Sequence, residues 1–264
     1  MADTPDATAA QGGPAGEAPL RGRIAKILNT SAVDGPGNRA VIFLQGCSFD
    51  CAYCHNPETR PAITAKPGLR PDGKEAWPRW MTSGQVLSSV GRYRAFLRGI
   101  TVTGGECGEQ PEFLQELLRD ARAAGLPGLV DTNGSLDYEA WPGIVAAAEG
   151  FMLDLKAWDT DEHRALTGAG NASVLKNLDF LAASGALYEL RTVIAPGLFD
   201  AEATVRNASE ALARAGSKAR YKLIRFRPQG VRAAWRSLPP PDDALMERLS
   251  ALAADSGAAE VVVV

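Results

Sequence analysis

Only four cysteines and two histidines occur in the 264 residues, and no apolar run approaches the length of a bilayer span, the longest being stretches such as AVIFL at 40–44 and VVVV at 261–264. The cysteines are too few for a disulfide framework in a chain this long. An excess of basic charge is missing as well. Lysine and arginine number 28 against 31 acidic residues, a net charge of −3, so nothing advertises nucleic acid or an anionic membrane as a partner. The first residues lack a charged-then-apolar leader, which predicts a cytoplasmic protein. What is present is ordinary for a globular domain: 45% apolar and 22% charged residues.

Residues 1–20 are almost wholly Ala, Gly, Pro, Asp, Glu, Thr and Gln. They hold too little apolar surface to offset the entropy of ordering, which predicts a disordered tail ahead of one domain over 21–264. From Arg23 two strand-like runs, RIAKIL and RAVIFLQG, flank the turn-rich SAVDGPGN. Residues 57–80, rich in Pro, Gly and charge, predict an irregular loop. Strands ITVTGG, LVDTNG, FMLDLKAW, LYELRTVIAPG, YKLIRFRP and EVVVV then alternate with helical stretches near 82–97, 111–125, 137–148, 159–184, 200–215 and 242–254. Such alternation implies parallel strands with crossover helices. About six units are too few for a closed eightfold barrel, so the expected fold is an α/β incomplete (β/α)6 TIM-type barrel, with an open doubly wound sheet as the alternative.

In either architecture chemistry gathers at the C-terminal ends of the strands. Those ends carry Cys47, then Gly104, Gly105 and Glu106, then Asp131, Thr132 and Asn133, then Asp154 and Lys156, then Arg191, then Arg225 and Arg227. Cys47, Cys51 and Cys54 lie in QGCSFDCAYCHNPE with C-x3-C-x2-C spacing. Soft thiolates suit zinc, copper(I) or iron–sulfur clusters. A structural zinc site normally closes with four protein ligands, and no second cysteine pair follows, so zinc would need His55 or Cys107. Three thiolates can instead hold three irons of a [4Fe-4S] cluster and leave the fourth open.

The spacing, with Tyr53 ahead of the last cysteine, resembles the signature of the radical S-adenosylmethionine (radical SAM) superfamily. More narrowly, VDGPGNRAVIFLQGC followed by CAYCHNPET resembles the glycyl radical enzyme activating enzymes, of the pyruvate formate-lyase activase type. TGGE, VDTNG, MLDLK, HRALTG and RTVIAPG continue the match in order over residues 24–230. The resemblance implies an oxidoreductase with a radical SAM partial barrel, in which Cys47, Cys51 and Cys54 bind the [4Fe-4S] cluster and the open iron is chelated by S-adenosyl-L-methionine. Reductive cleavage of that cofactor yields a 5′-deoxyadenosyl radical, which takes a glycine Cα hydrogen from a partner enzyme. The cofactor supplies the hard chemistry and the protein supplies position. The resemblance further implies cofactor contacts from Tyr53, Gly104, Gly105, Glu106, Asp131, Asp154, Lys156 and Arg191. Glu106 would accept from the cofactor ammonium and Arg191 would pair with its carboxylate. Asp131, Thr132 and Asp154 would hold a monovalent cation, and Asp34–Gly37 would lie at the barrel mouth against the substrate protein. The implied partners are a glycyl radical enzyme and a flavodoxin- or ferredoxin-type electron donor, with the activase itself a monomer.

Two departures stand out. The segment RFRPQG carries Arg227 where many relatives have a cofactor-contacting histidine, and residues 57–80 contain no cysteine-rich insertion, so one cluster is expected. Cys107 reads as an inert buried thiol, and His55 and His163 read as structural. Two other functions remain open from sequence: a radical SAM enzyme acting on a small molecule or peptide, and a zinc-stabilised binding module.

Overall fold

A computed structural model describes residues 18–65 and 77–264. The tail expected over 1–20 therefore lies outside the described residues except for its last three positions, and so does the middle of the irregular stretch expected over 57–80.

The strands are β1 (Gly22–Ser31), β2 (Arg39–Leu44), β3 (Arg79–Met81), β4 (Gly99–Gly104), β5 (Gly128–Thr132), β6 (Gly150–Asp154), β7 (Leu187–Ile194), β8 (Arg220–Arg225) and β9 (Val261–Val263), with β-branched residues most concentrated in β4 and β9. Between them lie α1 (Ser83–Gly91), α2 (Pro111–Ala123), α3 (Pro142–Ala147), α4 (Thr160–Thr167), α5 (Ala172–Ala183), α6 (Ala201–Arg214) and α7 (Asp243–Asp255). All nine strands join one sheet in the order β3-β1-β2-β4-β5-β6-β7-β8-β9. From β2 through β9 every pairing is parallel. β1 and β3 add an antiparallel edge. Among the described residues the two edges, β3 and β9, do not pair, so the barrel stays open, as its six principal parallel strands predict.

The sequence reading needs one correction here. Arg79 and Trp80 fall in the stretch expected to be irregular, yet Arg79–Met81 forms β3 by pairing with Gly22–Ile24 of β1. Three residues hold too little pattern to announce a strand; long-range pairing creates it.

The helix boundaries have local causes. A capping box between Thr82 and Gln85 opens α1. Asp159, Asp200 and Asp242 accept from backbone N–H groups at the starts of α4, α6 and α7. Gly168, at φ +77°, ends α4 and splits the helical stretch expected over 159–184 into α4 and α5. α2 buries Phe113, Leu114, Leu117, Leu118 and Ala121 on one face. They pack on Ile100, Val102, Val130 and other residues on the outer face of the sheet, each fully buried large side chain contributing roughly 1.5–3 kcal/mol. Alternate strand positions (Asp131, Asp154, Arg191, Val193) line the concave side instead.

At the N-terminal ends of the strands the interior is closed by Arg39, which is fully buried. Its guanidinium donates to Ile100 O, Pro127 O and Glu149 Oε2, the last at 2.7 Å. Chemistry is thereby left to the opposite end. No helix among the described residues is long and apolar enough to cross a membrane.

Candidate active site

β2 runs directly into the thiol loop. Gly46 N–H donates to Thr59 O and Cys47 N–H to Arg60 O, while Asp50 and Ala52 N–H groups donate to Thr167 O and Leu166 O. Arg60 Nε donates to Phe49 O at 3.1 Å, and Arg232 donates to Cys51 O at 2.9 Å. Both arginines reach Asp50 Oδ1 at 2.8 Å. The loop is therefore pinned by α4, by the chain after it, and by a residue nearly two hundred positions away. All three thiols are free and half-buried. They line a cavity of about 200 Å³ together with Tyr53, Gly104, Gly105, Glu106, Asp131, Thr132, Asn133, Asp154, Lys156 and Arg191. Burial pushes the Cys47 thiol up to about 12 and raises Cys51 as well.

The Gly104-Gly105 pair sets the wall beside this loop. Gly104 has φ +140°, and a Cβ there would stand 2.1 Å from Leu44 O; one on Gly105 would stand 2.3 Å from Gly46 O. The two glycines thus let β4 close against the thiol loop's own backbone. Glu106 follows, nearly fully buried. Its Oε1 accepts from Gly108 N at 2.8 Å and Thr132 Oγ1 at 2.7 Å, and its Oε2 from Asn133 N at 2.7 Å. Burial drives its pKa up to about 7 against the pull of these donors.

Across the cavity four charges form a chain. Arg191 bridges Asp131 and Asp154, the latter through Nε at 2.8 Å, and Lys156 Nζ holds the other Asp154 oxygen at 2.7 Å. The strand register creates this, since Asp154 lies opposite Arg191. Burial opposes ionisation of Asp154, but Arg191 and Lys156 outweigh it and hold the group at about 2. Burial raises Asp131 despite Arg191. Lys156 also stands 5.8 Å from the centre of the Tyr53 ring. Of the three oxygen-bearing residues expected around a monovalent cation, Asp131 and Asp154 are bridged by Arg191, and the Thr132 hydroxyl donates to Glu106.

The chain that carries this site is similar to known proteins. The profile of the Radical SAM superfamily covers residues 41–207. The pyruvate formate-lyase-activating enzyme of Clostridium pasteurianum is 30% identical over 216 residues, spanning 80% of this chain and 85% of that protein. The chain belongs to the radical SAM superfamily, in the family of these activating enzymes. The pyruvate formate-lyase 1-activating enzyme of Escherichia coli K12 is 28% identical over 246 residues, 88% of this chain and 94% of that one. The fold agrees with the crystal structure of a domain of a pyruvate-formate lyase-activating enzyme from Bacteroides vulgatus, with a TM-score of 0.55 at 22% identity, covering 63% of this chain and 98% of that one.

The donor set suits the cluster that radical SAM proteins carry. Among the described residues no three His, Cys, Asp or Glu side chains converge closely enough to hold a single metal ion, yet three free thiols border one cavity, as a multi-iron group requires. Of the two residues that zinc would need as a fourth ligand, Cys107 is turned away from the thiols, and His55 borders the same cavity. Cys107 is fully buried with its Sγ directed to Asp131 O, and His55 Nε2 lies 3.1 Å from Arg227 O. His163 supports the loop: fully buried, it meets the Phe49 ring edge-on with centroids 5.5 Å apart. The Arg227 side chain is exposed and outside the cavity lining.

In Asp34–Gly37, Asp34 O accepts from Thr101 Oγ1 at 2.6 Å, Gly35 and Gly37 pack on Arg39 and Arg98, and the Asp34 charge is near enough to the cavity's Asp131 to oppose its ionisation. Asn133, Asp50, Arg60 and Arg232 are parts of the site to which the sequence reading gave no role. Asn133 could be suspected from its place beside Thr132. The two arginines leave no local signal, because their contacts are tertiary.

Proposed function

We propose that the protein is a cytoplasmic, monomeric activase that installs a glycyl radical on a partner enzyme. The observation that carries this reading is the single cavity bordered by three free thiols on one side and the Asp131–Arg191–Asp154–Lys156 chain on the other. Cys47, Cys51 and Cys54 would hold the [4Fe-4S] cluster. Once bound, the cluster and S-adenosylmethionine supply the one-electron chemistry that takes a hydrogen atom from a glycine Cα, with the electron coming from a flavodoxin- or ferredoxin-type protein.

The chain's own residues do the positioning. Glu106 Oε2 spends one acceptor site on Asn133 N and keeps the other for an ammonium group. Arg191 uses Nε and Nη2 on its aspartates, leaving Nη1 for a carboxylate. Tyr53 and Lys156 form the floor between them, the ring packed edge-on against Phe226 at 6.3 Å.

Anoxic reconstitution with iron and sulfide tests the reading. A brown protein that cleaves S-adenosylmethionine under dithionite, and that gives a protein-centred doublet in electron paramagnetic resonance with a glycyl radical enzyme, is the expected result. Replacing any one of the three cysteines by Ala abolishes iron retention. Uptake of zinc without colour would make the protein a binding module. Cofactor cleavage with no doublet on any such partner would point to a small molecule or peptide as substrate.

A further inference from the structure

Asn133 follows Thr132 at the end of β5 and borders the cavity, but its side chain has had no role so far. It is almost fully buried, and its backbone N–H, Oδ1 and Nδ2 each have a distinct partner. The backbone N–H donates to Glu106 Oε2 at 2.7 Å. Side-chain Oδ1 accepts from Ser135 N at 2.8 Å, which settles which end of the amide is oxygen. Nδ2 is thereby turned toward Cys47 Sγ, 3.5 Å away.

The turn that holds it is bolted from both sides. Gly134 N donates to Thr132 Oγ1, Asn177 Nδ2 donates to Gly134 O, and Tyr138 OH donates to Thr132 Oγ1. Gly134 has φ +75°, and a Cβ there would meet Leu153 Cδ1 at 2.8 Å, so the backbone at this point tolerates little else. The amide is thus fixed in place before any ligand arrives.

Asn133 consequently donates one N–H to Glu106 and one to the Cys47 sulfur. We infer that Asn133 is a positioning residue whose side-chain N–H, given to the Cys47 sulfur, raises the reduction potential of the cluster that Cys47 would ligate. Hydrogen bonds to ligating sulfur favour the more negative, reduced state. The inference rests on the reading of Cys47 as a cluster ligand, and its measurement needs no S-adenosylmethionine.

Asn133→Asp keeps an acceptor for Ser135 N and replaces the donor with an anion; Asn133→Ser keeps a short acceptor that cannot reach Cys47. In reconstituted protein, poised dithionite titration shows a more negative midpoint, further displaced in Asn133→Asp than in Asn133→Ser. Should Asn133→Asp fail to fold, Asn133→Ser carries the measurement. An unchanged or more positive midpoint in Asn133→Ser overturns the inference. Because the readout requires neither cleavage of S-adenosylmethionine nor a glycyl radical, failure of the activase reading would leave the result interpretable.

Discussion

Arg191→Met tests the charge chain. The guanidinium donates to two carboxylates whose side chains are only 15% and 22% exposed. Methionine fills similar volume but donates nothing, so Asp131 loses the cation that holds it while Asp154 retains Lys156 alone. Hydrogen bonds to charged groups contribute roughly 1.5–3 kcal/mol each, and removing one partner of a buried pair costs about 3–5 kcal/mol. For a chain of this size that is a fall in Tm on the order of 10 °C. The pH dependence has a definite sign. Asp154 sits at about 2 in the folded protein, against about 3.9 unfolded. Its contribution is therefore complete above about pH 4 and is lost as pH falls through about 2. In the variant Asp131, already raised by burial, moves higher still. Protonation on acidification then removes its repulsion with Asp154, so the deficit is larger at pH 8 than at pH 5. Thermal unfolding of metal-free protein, followed by circular dichroism at both pH values, reads this directly. A Tm within 2 °C of the parent at pH 8 (about 1 kcal/mol or less), or a deficit that widens on acidification, would refute the reasoning.

Other perturbations probe the loop and its wall. Arg232→Gln removes the contacts to Asp50 and Cys51 O, so a reconstituted cluster should lose iron to a chelator several times faster; Arg232→Lys should restore part of the difference by reaching Asp50 alone. Gly104→Ala places a methyl 2.1 Å from Leu44 O at φ +140° and should cost about 3 kcal/mol or more in urea unfolding. Cys107→Ala should cost about 1 kcal/mol and leave iron content unchanged; loss of iron would make Cys107 a ligand.

The barrel and the site differ in how far they could be read from sequence. Strands such as FMLDL and helices such as PEFLQELLRDARA carry their own periodicity, and their alternation already implied parallel strands with the reactive residues at one end. β3 was invisible because three residues become a strand only through pairing with β1. Arg191 was recognised as a site residue, but its partners lie 37 and 60 positions away, and only the register of β6 against β7 brings them together. Glu106 was placed in the cavity, whereas its protein donors at Gly108, Thr132 and Asn133 depend on how two loops meet.

The hold of Arg232 on the thiol loop bears on biogenesis. Its contacts with Asp50 and Cys51 span more than 180 residues, which at roughly 5–20 residues per second leaves the cysteines waiting on the order of ten to forty seconds during translation. The thiol loop thus gains its last fastener only when the ribosome has made almost the whole barrel, long after the three sulfurs have emerged.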